Sequence, residues 1–177
     1  QDHHAALDDV QFLLEAHPEL DLARLRRGEI MMSLGEWQEA ESNFRDVLSR
    51  RGKNPQALIQ LAASLIAQER LTEAEQPLNE AIKLDGDSAE GWYQRGLLYE
   101  SFGQLKGALS DFETAAKRDR HHMNALLRIA AIHHTSEEWD AAEAAWRNVL
   151  NVEPENRIAR RRIQEAIDGQ SATKKAA

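Results

Sequence analysis

The chain has 177 residues, 42% apolar and 29% charged, which suits one domain with a buried core or a short repeat array rather than a disordered segment. With 30 acidic against 22 basic residues its net charge is −8, so a nucleic-acid backbone is not the expected partner. The absence of cysteine excludes disulfides, thiolate metal sites and a cysteine nucleophile, and leaves the compartment open. Ala, Leu, Glu, Arg and Gln dominate while Val, Ile and Thr are sparse, which favours helix. No apolar run is long enough to span a bilayer, so membrane insertion is not expected.

A period of 34 residues organises the chain. Alanine recurs at Ala6, Ala40, Ala74, Ala108 and Ala142, and a small residue at Gly28, Ala62, Gly96 and Ala130. Large apolar residues recur at Trp37, Leu71, Leu105 and Trp139, and again at Phe44, Leu78, Phe112 and Trp146. A further column reads Leu13, Val47, Ala81, Ala115 and Val149. The columns keep register without an insertion, so each unit is one supersecondary element stacked on the next.

Taken in chain order, residues 1–20 read as the second helix of a preceding unit whose first helix is missing. Four full units follow at 21–54, 55–88, 89–122 and 123–156, with helix pairs expected at about 21–34 and 37–50, 55–68 and 72–84, 89–102 and 105–118, 123–136 and 139–152. Asn54 before Pro55 signals an N-cap with proline at the first helical position. Ser88 reads as another N-cap, and Thr72 with Glu75 and Asp140 with Glu143 have capping-box spacing. Pro77 falls inside a second helix and should bend it. Residues 157–168 form an expected capping helix whose outer face carries Arg157, Arg160, Arg161 and Arg162, and 169–177 reads as a disordered tail.

Gly91 to Asp119 carries a family pattern: Trp92, Gly96, Tyr99, Ala108, Phe112 and Ala115 stand at the spacing of a tetratricopeptide repeat. Ala142, Trp146 and Pro154 match it in the next unit. Over residues 21–156 the chain resembles this family, with Arg24 in place of an aromatic or Leu, His133 in place of Tyr, and the unit-ending proline kept only as Pro154. The resemblance implies an all-α, right-handed superhelical solenoid of antiparallel helix hairpins, about ten helices in all. It also implies a non-catalytic scaffold whose first helices line a concave surface for a protein or peptide ligand.

Mapped unit by unit, that surface takes Leu22, Leu25, Glu29 and Met32; Gln56, Ile59, Ala63 and Ile66; Glu90, Tyr93, Leu97 and Glu100; and Asn124, Leu127, Ala131 and His134. The stripe is mostly apolar, although Ile30, Leu58, Leu61, Leu65, Trp92, Leu98, Leu126 and Ile129 already supply the packing positions of the same helices. A second apolar stripe needs another partner, so an apolar or amphipathic peptide is the expected occupant. Leu25, Glu29, Gln60, Glu90 and Gln94 stand where relatives that clamp acidic chaperone tails would carry Lys, Arg or Asn. Such tails are therefore not the expected ligand.

Two other functional classes compete with that scaffold: a self-assembly module, forming a homo-oligomer through the N-terminal edge, and an accessory targeting domain of a larger protein or enzyme. Catalysis, a metal site and a cofactor are not expected. His121-His122 and His133-His134 point in divergent directions along a helix, and Asp85–Glu90 lacks the glycine position and late glutamate of a calcium loop.

Overall fold

The computed structural model describes residues 3–176; residues 1, 2 and 177, at the two ends of the expected first segment and tail, lie outside the described residues. Ten helices and no strands occur among the described residues: α1 (His3–Ala16), α2 (Asp21–Leu34), α3 (Trp37–Arg51), α4 (Pro55–Ala67), α5 (Leu71–Leu84), α6 (Ala89–Ser101), α7 (Leu105–Arg118), α8 (Met123–Thr135), α9 (Trp139–Val152) and α10 (Arg157–Ala176). Packing runs between sequential helices, with α2 also touching α4 and α4 touching α6. The result is a solenoid of hairpins, each unit resting on its neighbours.

Each hairpin is set by one close crossing. A Cβ on Gly28 would collide with the Phe44 ring, and one on Gly96 would lie 2.5 Å from the Phe112 ring. Both rings are completely buried, so the glycine is what lets the ring lie across the facing backbone. In the second unit Ala62 and Leu78 occupy the same columns, trading a methyl on one helix for a smaller side chain on the other.

The turn inside each hairpin is equally regular. Gly35, Glu69, Gly103 and Glu137 all take a positive φ, of 82°, 60°, 71° and 57°. The next amide then donates back to the preceding helix: Glu36 to Met31 at 2.9 Å, Arg70 to Leu65 at 2.9 Å, Gln104 to Tyr99 at 2.8 Å and Glu138 to His133 at 3.0 Å. Glycine meets this requirement without strain in two units; the other two hold a glutamate in the left-handed region.

Helix starts partly depart from expectation. The Asn54 side chain accepts from the Ala57 amide at 3.0 Å, as its sequence predicts, and His122 Nδ1 and Asn156 Oδ1 do the same for Ala125 and Ala159 at 3.2 and 2.9 Å. Ser88 makes no side-chain cap; Asp85 Oδ1 instead accepts from the Asp87 and Ser88 amides, each at 3.2 Å. The capping boxes do not form either. α5 and α9 begin at Leu71 and Trp139, which places Thr72 and Asp140 inside the helix. Glu143 instead accepts from Arg147 at 2.6 Å and from Gln170 at 2.9 Å.

The expected disordered tail is corrected, since α10 runs on to Ala176. Gly169 explains the continuation: a Cβ there would sit 2.6 Å from the Trp139 indole, so the backbone of α10 lies directly on the ring. Pro77 lies within α5, which continues from Leu71 to Leu84 across it.

Ion pairs tie units across their seams. Arg70 reaches Glu41 at 2.6 Å, and Gln68 reaches the same carboxylate at 2.9 Å. Burial pushes the Glu41 carboxyl up, but hydrogen bonds from Gln68, Arg45 and Arg70 outweigh it and hold the group below its ordinary 4.5. A carboxyl lowered by folding contributes stability above its unfolded value, and that contribution is lost as pH falls through the folded value. Below pH 4.5, the wild-type melting temperature should therefore fall more steeply than that of Glu41→Gln; parallel curves would mean the network adds nothing.

The crossing makes a second prediction. Gly96→Ala should cost about 1–3 kcal/mol by overpacking against Phe112. In the Gly96→Ala/Phe112→Leu pair, which recreates the Ala62–Leu78 combination, the loss should be smaller than the sum of the single losses. Urea denaturation of the four proteins of the cycle measures this coupling; additivity would show that the ring does not set the crossing.

Candidate functional site

The inner-face residues divide by position along the solenoid. In the first unit Leu22 is 67% exposed and Glu29 and Met32 are half-buried, but Leu25 is 8% exposed and belongs to the core. In the second unit Gln56 is exposed and Ala63 and Ile66 are half-buried, while Ile59 is 2% exposed. The expectation that Leu25 and Ile59 are surplus to folding is therefore corrected. The cause is the contact between successive first helices. Ile59 Cδ1 lies 3.6 Å from the Cβ position of Gly91 on α6, and Leu25 shares a cluster with Leu61, Ala62 and Leu65 of α4.

Farther along, the surface opens. α6 and α8 pack on each other less than α4 and α6 do. Glu90, Tyr93, Leu97 and Glu100 on α6 are all half-buried, as are Leu127 and His134 on α8, whereas Asn124 and Ala131 are exposed. Polar links span the gap: Glu90 lies 3.5 Å from His122 Nε2, and Glu100 lies 3.2 Å from Arg128. The Tyr93 ring sits 5.7 Å from the Phe112 ring and 4.8 Å from the His122 ring. Burial pushes its hydroxyl above the ordinary value, opposed by a hydrogen bond with Arg128. Tyr93 and Leu97 sit at the edge of the cluster around Phe112, and Leu127 at the edge of that around Trp146, three partly covered apolar side chains along the inner strip.

His134 has a different setting. Its ring stands 5.5 Å from the Trp139 ring, edge-on, and its Nε2 lies 3.1 Å from Arg162 and 3.3 Å from Glu165 of α10. It belongs to the seam with the capping helix rather than to the strip. Of the other histidines, His133 bonds Glu138 at 2.5 Å and His121 is exposed. Among the described residues no group of three His, Cys, Asp or Glu side chains could hold a metal. Among the described residues no helix is long and apolar enough to cross a membrane.

The outer face holds a cleft of about 840 Å³ between α7 and α9, floored by Leu126, Ile129 and Ala145, and none of the inner-face residues lines it. Its signal in the sequence is a loss of bulk between units, at positions that a search for periodicity treats as equivalent.

A solenoid of helical hairpins repeating every 34 residues, with an inner strip and an outer cleft, is the architecture of a repeat scaffold. Two family models, both described as tetratricopeptide repeat, match residues 32–96 and 93–150. The chain belongs to the tetratricopeptide repeat (TPR) family, whose fold is that of a protein-interaction scaffold. A TPR repeat-containing protein of Rhizobium etli is 32% identical over 106 residues, 60% of this chain and 52% of that protein. The chain thus spans about half the length of that curated relative. Among solved structures, a thermophilic TPR protein of Thermus thermophilus superposes with a TM-score of 0.80 at 20% identity, covering 93% of this chain and 90% of that one. YrrB, described as a TPR protein with an unusual peptide-binding site, superposes with a TM-score of 0.64 at 22% identity, covering 89% and 81%.

The burial pattern separates core from surface on the inner face. Ile59→Glu should destabilise by about 3–5 kcal/mol, because it buries a charge between two helices, whereas Leu22→Glu should stay within about 0.5 kcal/mol. Chemical denaturation checks both; equal effects would mean that α4 and α6 are not packed as described.

Proposed function

We propose that the chain is a non-catalytic scaffold that takes an apolar or amphipathic peptide segment on its concave face, centred on Tyr93, Leu97 and Leu127. The observation that carries the reading is the partial burial of these three side chains along α6 and α8. An apolar strip that folding leaves half-covered gains free energy when a partner covers it. Glu90, Glu100, Arg128 and Asn124 around it supply polar groups to orient the segment. Leu25 and Ile59 stabilise the wall behind the strip and do not touch the ligand. That a related fold, YrrB, is described as carrying a peptide-binding site supports the class of ligand without identifying it.

Affinity capture from a lysate, read by mass spectrometry beside Tyr93→Lys and Leu127→Lys, tests the proposal. Both variants should melt near the wild type. Each should weaken the captured partner roughly tenfold to hundredfold, the loss of about 1.5–3 kcal/mol of apolar burial. Undiminished capture by both would remove the strip from the binding surface.

A second reading rests on a separate observation at the N-terminal edge, where Phe12 is 71% exposed and Leu13, Leu20 and Leu22 are exposed with it. Such a patch suits a second copy of the chain, giving a homo-oligomer. Light scattering across a concentration series distinguishes it: Phe12→Glu should abolish any rise in mass, and a constant monomer mass would dismiss this reading.

A further inference from the structure

The outer face of the third hairpin is filled by three large side chains of α6. Arg95 donates to both oxygens of Asp111 at 2.7 and 3.0 Å and to Asn79 at 2.9 Å, which joins α7 to α5. Its guanidinium lies 4.9 Å from the Trp92 ring centre and 5.6 Å from that of Tyr99. Hydrogen bonding to Asp111 raises the Arg95 pKa against the opposing effect of burial. The first hairpin repeats this plan: Arg27 donates to Asn43 at 2.7 Å and to Gln11 at 3.3 Å. In the second, Leu61 and Pro77 hold the equivalent positions, and Leu61 is 4% exposed, so the seam is closed by apolar packing.

The fourth hairpin leaves a wider opening in its seam than the first, where a cleft of about 400 Å³ lies beside Arg27, Met31 and Asn43. Thirty-four residues after Trp92, Arg95, Tyr99 and Asp111 stand Leu126, Ile129, His133 and Ala145, each smaller than its counterpart. Ile129 and His133 remain half-buried, and the missing volume appears as the 840 Å³ cleft between α7 and α9. That volume lies in the range of ligand pockets, roughly 300–1,000 Å³. The floor is apolar, and its counterparts in the third hairpin are Trp92 and the Arg95–Asp111 ion pair.

The rim is charged in the opposite sense to the chain as a whole. Lys117 and Arg120 line one wall with His121, and Glu113 is the sole carboxylate of the lining. Neither Lys117 nor Arg120 has an ion-pair partner among the described residues. Every other arginine except Arg157 has an acceptor for its guanidinium. Asn148 and Asn151 on the facing wall are exposed and present amides suited to a main chain.

We propose that the cleft between α7 and α9 docks an acidic protein segment that inserts an aromatic side chain over Ile129 and Ala145. The ring restores bulk that Arg95, flanked by Trp92 and Tyr99, supplies internally one unit earlier, and flanking carboxylates take the places open beside Lys117 and Arg120. Two cations on a chain of net charge −8 fit a short acidic peptide better than a nucleic-acid backbone, which needs an extended basic track. This surface is separate from the concave strip and stands or falls without it.

The test is an NMR titration of the full chain with an acetylated octapeptide that carries one central tryptophan flanked by aspartates and glutamates. Amide shifts should concentrate at Ala116, Lys117, Ala144 and Ala145. Lys117→Glu/Arg120→Glu should weaken binding at least about tenfold. Ile129→Arg/Ala145→Asp, which rebuilds the Arg95–Asp111 pair in the fourth hairpin, should abolish it; if that variant fails to fold, the surface charge reversal decides. The same peptide with alanine for tryptophan, a lysine-flanked peptide and a ten-nucleotide oligothymidylate should leave these amides unmoved. The proposal is overturned by an absence of shifts at millimolar peptide, by equal response to any control, or by shifts centred on Tyr93, Leu97 and Leu127.

Discussion

The architecture depends on the crossing of the two helices within each hairpin. A small residue on the first helix lets a ring or Leu on the second lie across its backbone, as Phe44 does at Gly28 and Phe112 at Gly96. That contact fixes both the distance and the angle of the pair, because a rigid buried ring has few alternative positions. The left-handed residue at 35, 69, 103 and 137 then returns the chain at the same point in every unit. With the crossing and turn repeated every 34 residues, a solenoid follows and no long-range contact is required.

Columns outside the crossing are free to vary, and their variation shapes the two faces. Between successive first helices, Ile59 and Leu25 supply apolar contact in the first half of the chain. Between α6 and α8 the links are Glu90 with His122 and Glu100 with Arg128, which are partly exposed. Exposed ion pairs contribute little each, typically about 0–1 kcal/mol, so this seam is held mainly by α7 against α8. On the outer face the same seam loses the Trp92–Arg95–Tyr99 filling.

The period made most of the fold legible, because several columns in phase specify helix type, order and packing partner together. Helix starts were less legible. Thr72 with Glu75 and Asp140 with Glu143 have the spacing of capping boxes, yet α5 and α9 begin at the partly buried Leu71 and Trp139, which puts Thr72 and Asp140 inside the helix, and Arg147 and Gln170 claim Glu143. The tail misled for a related reason: 169–176 has no apolar stripe of its own, and its helix rests on Gly169 beneath Trp139, a contact invisible to periodicity. On the inner face, Leu25 and Tyr93 occupy one column and differ in burial, Leu25 packing with Leu61 and Leu65 while Tyr93 rests against Phe112 and His122. Spacing within a unit carries no information about spacing between units.

Both surfaces therefore converge on the seam between the third and fourth hairpins. In a nearest-neighbour solenoid, stability is a sum of unit and seam contributions, and the seam with the least apolar closure contributes least. The earlier hairpins are linked by the Arg27–Asn43 bond, by buried Leu61, and by the Arg70–Glu41–Gln68 network. At the fourth hairpin, by contrast, the outer positions are reduced to Ile129 and Ala145, while α10 covers the far side of α9 through Gly169 and Gln170. A hairpin capped firmly on one side and open on the other presents its uncovered apolar area at one seam only. The loss of bulk at this seam does not reach the crossing itself, since Ala130, Trp146 and Ala142 remain buried. The fold thus keeps its period intact while the outer positions of this seam lose bulk.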